Sequence, residues 1–207
     1  MLWISAALLA GGLGTVSCFR SDSPGRSVVA TVNNEPVTVP EFRFFMNQHT
    51  SEVYGYFSKT YDARDHEHFW NTRFGSEIPI EKIKQMTLRT CVSVKIQQIL
   101  AKEKGILENV TFDSFLEDFR RENACRKQAV ENRQIVYGPI EYTLQTCMNR
   151  RMSLLEIQLI EILAKEPSGP SDTAERRYQA LIRQRIRDAR IKVNRSVYNS
   201  LKVRFNA

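Results

Sequence analysis

The chain has 207 residues, of which 42% are hydrophobic and 26% are charged. This composition excludes an intrinsically disordered protein, which is poorer in apolar residues, and a polytopic membrane protein, which is poorer in charge. The net charge of +7 arises within residues 150–207, where 13 Lys and Arg stand against 6 Asp and Glu, because residues 20–149 hold 17 of each. Clustered arginines are typical of phosphate binding, but their amphipathic spacing favours a solvated helix face near an anionic surface over a nucleic-acid site.

The N-terminus has the pattern of an export signal. Residues 1–19 contain no charged side chain, and residues 2–16 form an apolar run of suitable length. Ser17 followed by Cys18 resembles the end of a bacterial lipoprotein signal, in which the cysteine thiol is acylated. We therefore expect residues 1–18 to direct export and to be lipidated at Cys18, with an uncleaved signal anchor as the open alternative.

Either arrangement places the protein outside the cytoplasm, tethered to the outer face of a bacterial cell membrane. Residues 19–27 are expected to form a flexible spacer by their composition. Residues 28–207 are then left as one domain, which is a usual size for a single core.

A short β-hairpin and a helix are predicted at the start of this domain. Residues 28–33 are rich in β-branched side chains, and Asn33-Asn34 offers a tight turn. Thr38 and Glu41 have the spacing of a capping box, so a helix should begin there. Its apolar stripe follows at steps of three and four residues, through Phe42, Phe45, Met46, His49, Val53 and Tyr56.

A long central helix is predicted after an irregular stretch. Residues 58–78 are mostly polar with interleaved rings, which indicates a long loop or a broken helix. Pro79 then precedes a helix over residues 80–104, which Gly105 should end. This helix is apolar on two faces, so we expect it to pack between partners.

Three more helices and a strand complete the prediction. Thr111 should cap the first of these helices, which ends before the breaker sequence at residues 136–139, and the second should cover residues 141–165. Ser171 should cap the third. Residues 191–193 alternate like a strand and should pair with residues 28–32. The predicted fold class is therefore mainly α, with a small β-sheet that joins the N- and C-terminal strands.

Four segments in this order resemble the chaperone domain of the exported SurA and PrsA foldases. They are VVATVNNEPVT (28–38), IQQILAKE (96–103), VYGP (136–139) and ARIKVN (189–194). The trigger factor peptide-binding domain is related in fold. The resemblance is greatest to a lipoprotein branch of the family in Gram-positive bacteria. It implies a SurA-like chaperone domain over residues 28–207, with unfolded or extended protein segments as partners.

The parvulin isomerase domain of that family has no counterpart in the sequence. Such a domain has about 90 residues, a glycine-rich loop and two histidines, one of them late in the domain. Here the six glycines after Cys18 occur singly and the last histidine is His68. We therefore expect no isomerase catalysis, and no catalytic residue is predicted.

No cofactor or metal site is predicted either. His66-Glu67-His68 is the one local cluster of metal-ligating types, but the two histidines diverge on a helix and no fourth ligand has recognisable spacing. The cluster is therefore interpreted as part of a solvated loop. Cys91, Cys125 and Cys147 are interpreted as buried small side chains, while oxidation of one pair stays open.

Aromatic residues exceed the obvious needs of the core and are the candidate peptide-binding site. Their alternative role is to fill the core beneath a long loop. As a cradle for unfolded chains, they would offer a large contact area with little directional demand. The candidates are Phe44, Tyr54, Phe57, Tyr61, Phe69, Trp70 and Phe74.

Three functions remain open at this point. The leading hypothesis is a membrane-tethered, chaperone-like protein that binds unfolded segments of secreted proteins without catalysis. The first alternative is a peptidyl-prolyl isomerase that lacks the parvulin signature. The second is a cell-surface scaffold whose basic C-terminal helix binds anionic lipid or wall polymer.

Overall fold

The computed structural model describes residues 27–166 and 173–203. The predicted signal segment with Cys18 lies outside the described residues. A mainly α fold with a small antiparallel sheet is confirmed. In chain order, the elements are β1 (Val28–Val32), β2 (Glu35–Thr38), α1 (Val39–Gln48), α2 (Thr50–Tyr61), a 3-10 turn (Phe69–Asn71), α3 (Pro79–Glu103), α4 (Phe112–Glu131), α5 (Leu144–Ala164), α6 (Ala174–Arg187), β3 (Ile191–Val193) and α7 (Arg195–Ser200).

The sheet joins the two ends of the described chain, as the sequence predicts. Its strand order is β2-β1-β3, and β1 pairs antiparallel with both neighbours. Asn33 and Asn34 have φ values of 49° and 72°, as the tight turn of a two-residue hairpin requires. The Arg190 backbone N–H donates to Asn33 Oδ1 at 2.8 Å, and the Asn33 N–H donates to the Arg190 carbonyl at 3.0 Å. These bonds attach the hairpin turn to the segment that enters β3.

The first predicted helix is two helices, with a break at His49. The Thr38 hydroxyl caps α1 by accepting from the Glu41 N–H, as predicted. The apolar stripe is continuous in sequence, but the His49 imidazole makes a polar contact with α3. Its Nε2 lies 2.8 Å from the Thr90 hydroxyl oxygen. A polar contact with a residue 41 positions away therefore accompanies the break, and α2 starts afresh at Thr50.

Helix α3 is the centre of the fold. It packs against α1, α2, α5 and α6, which confirms the prediction from its two apolar faces. Gly105, at a φ of +74°, follows its last turn. Lys95 on α3 and Glu41 on α1 are both buried, and Lys95 Nζ lies 2.9 Å from Glu41 Oε1. The core therefore encloses one complete ion pair.

Helices α4 and α5 form a hairpin, which we call the α4–α5 hairpin (residues 112–164). Thr111 caps α4, as predicted, and Thr143 caps α5. The fully buried residues of α4 are Phe112 and Phe115, both in its first turn, so the rest of the helix extends away from the core. Helix α5 packs on α3 and α6.

The C-terminal part corrects two predictions. Thr173, not Ser171, caps α6, because its side chain accepts from the Arg176 N–H; Ser171 lies outside the described residues. Helix α7 was not predicted, and the Asn194 side chain caps it. Within the described residues, no helix combines the length and hydropathy needed to cross a bilayer.

Candidate binding surface on the α4–α5 hairpin

Six of the seven aromatic candidates form one cluster beside α2. Phe57 lies at its centre, with ring centroids 5.6 Å from Tyr61, 5.5 Å from Phe74 and 6.0 Å from Phe69. Tyr54 and Trp70 join the cluster through Phe69, at 5.1 and 5.2 Å. These rings attach residues 62–78 to the helical core, because Phe69, Trp70 and Phe74 of the loop contact one another and rings of α2.

The exposure of these rings limits what they can bind. Phe57 and Phe69 are 0% exposed, so in this conformation neither ring offers surface to a ligand. The other four rings of the cluster are half-buried against the core. Phe44 is separate from the cluster and packs on Phe45 and Phe112 at centroid distances of 5.0 and 5.7 Å.

A carboxylate fixes the end of the same loop. Glu77 accepts hydrogen bonds from the Tyr56 hydroxyl at 2.6 Å, the Tyr61 hydroxyl at 3.0 Å and Lys82 Nζ at 2.7 Å. The Lys82 ammonium, followed by the two phenols, lowers the pKa of Glu77 to about 2. The hydrogen bonds of Glu77 thus hold the loop of residues 62–78 against the start of α3.

The exposed apolar surface lies elsewhere, on the α4–α5 hairpin. Seven large apolar side chains of the described residues are exposed by 40% to 84%, and six of them fall between positions 130 and 157. The six are Val130, Ile135, Tyr137, Ile140, Leu154 and Ile157. The seventh, Ile191, is on β3. The hairpin is therefore the part of the described chain with the most surface for an apolar partner.

A cleft of about 450 Å³ runs between α4 and α5. Its apolar lining includes Leu107, Phe115 and Leu154, and both charge signs occur among its other lining residues. Arg151 donates to Asp118 at 3.0 Å across the two helices, and Asp118 also accepts from Arg121. The charged side chains thus tie the helices together while the apolar ones line the space between them.

The loop at the tip of the hairpin has a fixed backbone and exposed side chains. The Arg126 guanidinium donates to the carbonyls of Tyr137 and Pro139, both at 2.6 Å. The Asn123 amide donates to the Tyr142 carbonyl at 3.0 Å and accepts from the Tyr142 N–H at 2.9 Å. Ile135 and Tyr137 are nevertheless 82% and 84% exposed. Hydrogen bonds to the backbone therefore hold these side chains out in solvent.

The cysteines depart from the sequence interpretation in one position. Cys91 is buried, and burial raises the pKa of its thiol well above the usual value. Cys147 is half-buried, whereas Cys125 is exposed and lines the cleft together with Cys147. The prediction of a buried Cys125 is wrong because most of α4 extends beyond the core. All three thiols are free.

The histidine cluster lies at the surface of the loop before the 3-10 turn. His66 and His68 are exposed, and His66 Nδ1 accepts from the His68 N–H at 3.2 Å. In the described part of the chain, no group of three or more His, Cys, Asp and Glu side chains is arranged to hold a metal ion.

The sequence analysis names the aromatic cluster as the candidate binding site and does not single out the exposed side chains of the hairpin. Tyr137 belongs to the breaker segment at 136–139, which also resembles the foldase family, and the sequence analysis gives Ile135 no role, although two large apolar residues beside Gly138-Pro139 are unusual for a solvated turn. These two apolar residues in a turn segment are the sequence signal that could have indicated an exposed apolar surface there. Comparison of the chain with known protein families, with curated proteins and with solved structures found no match.

Proposed function

We propose that the chain is a chaperone-like protein of the SurA and PrsA type that binds extended segments of unfolded exported proteins on the α4–α5 hairpin. In this proposal acylated Cys18, or residues 1–18 as an uncleaved anchor, tethers it to the outer face of the membrane, and it catalyses no reaction. The observation that carries the proposal is the concentration of exposed apolar side chains on the hairpin, six of the seven in the described residues. The four sequence segments that resemble the foldase family agree with it.

The chemistry of the hairpin suits a binder of low selectivity. Leu154 is about half-exposed beside the cleft, where Asp118 and Arg121 supply both charge signs, and Ile157 is about half-exposed on the same helix. Apolar burial at about 25 cal/mol per Å² exceeds the cost of ordering a flexible segment by only a small margin, so binding is weak and reversible. A bound client chain can therefore dissociate again and continue to fold.

The fixed backbone of the tip also supports this role. Because Arg126 and Asn123 hold the loop, the exposed Tyr137 loses little conformational freedom when a client covers it. A tyrosine side chain has few rotatable bonds and a large contact area, which favours contact with many sequences.

The test is suppression of aggregation by the full chain. A chemically denatured client is diluted into buffer, and light scattering is recorded at increasing ratios of chain to client. We expect slower aggregation at ratios up to one to one. The double variant Leu154→Glu/Ile157→Glu should lose most of this effect, because two charges then interrupt the apolar face. The matched control is Ile191→Glu, which changes an exposed apolar residue outside the hairpin and should retain full suppression.

Two results would contradict the proposal. One is the absence of suppression at every ratio, and the other is equal loss of suppression in the hairpin variant and in the control. A proline-peptide isomerisation assay separates the enzyme alternative, since the proposal expects the uncatalysed rate. Thermal unfolding by circular dichroism must show that both variants remain folded.

A further inference from the structure

A second cleft, of about 640 Å³, lies between the first half of α3 and the C-terminal segment that includes β3 and α7. Ile80 and Leu88 of α3 and Leu201 after α7 give it apolar walls. Three cationic side chains, Lys84, Arg195 and Lys202, also line it. The cleft therefore combines apolar walls with an excess of positive charge.

Lys84 is the residue that makes this cleft unusual. It is 7% exposed, and its Nζ donates to the Asn199 carbonyl at 3.0 Å and lies 5.6 Å from the centre of the Tyr198 ring. Lys95, the other buried lysine, has a carboxylate at 2.9 Å. Within residues 27–166 and 173–203, Lys84 forms no ion pair, and burial lowers its pKa. An ammonium group has three N–H donors, and one carbonyl satisfies only one of them.

The other two cations at the cleft, Arg195 and Lys202, can also bind an anion. Arg195 and Lys202 are exposed, and in the part of the chain that the structure describes neither forms an ion pair. Glu81 is the single acidic residue among the described residues of the lining, which therefore carry a formal charge of +2 when the three cations are counted against it. A dianion neutralises this charge, whereas a carboxylate neutralises half of it.

We propose that this cleft binds a phosphate group, either as free phosphate or as a phosphate monoester whose organic part lies against the apolar walls. A phosphate has several acceptor oxygens, which suits three cations that reach the cleft from α3, from α7 and from the segment after it. The volume of about 640 Å³ exceeds the need of the ion alone, which favours the ester. The site is independent of the α4–α5 hairpin and of the proposed chaperone role.

Isothermal titration calorimetry on the full chain, at fixed physiological ionic strength, tests the proposal with two probes. Inorganic phosphate is the free form and phenyl phosphate is the ester. We expect saturable binding of both, with tighter binding of phenyl phosphate because its ring contacts the apolar walls. Short-chain phosphatidic acid, below its micelle concentration, is the third probe, and tighter binding than phenyl phosphate would identify a lipid headgroup as the source of the phosphate.

Variants locate the binding. Lys84→Met should weaken binding of phenyl phosphate at least about tenfold, because a charge-assisted hydrogen bond usually contributes that much to affinity. Arg195→Gln should weaken it as well, and this exposed residue can change without disturbing the core. Lys192→Gln is the matched control, because Lys192 is an exposed cation of β3 that does not line the cleft. No heat of binding with any probe, or equal affinity in Arg195→Gln and in Lys192→Gln, would overturn the proposal.

Discussion

Removal of the Lys95 ammonium tests how this fold holds charge inside its core. Lys95 is 0% exposed, and its Nζ lies 2.9 Å from Glu41 Oε1 and donates to the Val110 carbonyl, also at 2.9 Å. Lys95→Met keeps the length and the apolar stem of the side chain but leaves the Glu41 carboxylate alone. At an effective dielectric constant of about 20, the attraction across 2.9 Å is about 6 kcal/mol before desolvation is counted. Breaking a buried pair from one side costs about 3–5 kcal/mol, and we expect a loss of that size at pH 7.

The loss should also depend on pH. Desolvation raises the pKa of Glu41 above its usual 4.5, although Lys95 opposes the shift. A carboxyl group with a raised pKa binds its proton more tightly in the folded state, so its contribution to the free energy of unfolding falls as pH rises above 4.5. Without the Lys95 ammonium, which lowers it, the pKa of Glu41 rises further. The variant should therefore lose more stability at pH 7 than at pH 4.

Urea unfolding of the full chain, followed by circular dichroism at both pH values, measures this difference. The control is Arg185→Met, which breaks an exposed pair with Glu103 and should cost less than about 1 kcal/mol. Adding Glu41→Gln to Lys95→Met should recover part of the stability at pH 7, because a neutral amide replaces the isolated charge. If Lys95→Met costs no more than Arg185→Met, or costs the same at pH 4 and pH 7, the reasoning is refuted.

Three further predictions concern other regions. Glu77, with a pKa of about 2, contributes stability above pH 4.5 that is lost as the pH falls towards 2, so Glu77→Gln should flatten this part of an acid-unfolding curve; an unchanged curve would count against the Glu77 contacts. Iodoacetamide should label exposed Cys125 in the folded protein and buried Cys91 only in urea, as measured by peptide mass spectrometry, and equal labelling rates would contradict the described burial. Phe57→Ala should lower the free energy of unfolding by about 3–5 kcal/mol in urea titrations, since the ring is fully buried, and a loss below about 1 kcal/mol would argue against tight packing there.

The predictable parts of the fold depend on neighbours in sequence. The caps at Thr38 and Thr111 and the turn at Asn33-Asn34 act within a few residues, so the sequence pattern contains all the information they need. The break at His49 is accompanied by a contact with Thr90, which is 41 positions away, and the apolar stripe gives no sign of it. Helix α7 has six residues and packs on β1; its cap at Asn194 is a local signal, but the helix is too short to show an apolar periodicity.

The candidate sites were less predictable because they depend on contacts between residues far apart in the sequence. Counting aromatic residues selected Phe57 and Phe69, but a count does not distinguish a ring inside a cluster from one at a surface. Cys125 was expected to be buried and is exposed, and Lys84, a long cation that composition alone would place at the surface, is buried. Burial is a property of the packed helices, so it becomes visible only once their relative positions are known.

The pairing of β1 with β3 has a consequence for the order in which the protein matures. β1 is synthesised long before the strand that covers its second edge, because the bond between Asn33 and Arg190 spans 157 positions. Until then the backbone groups along that edge have no partner and invite pairing with another chain. A nascent chain therefore depends on shielding from its surroundings until residues 191–193 have been synthesised and can pair with this edge.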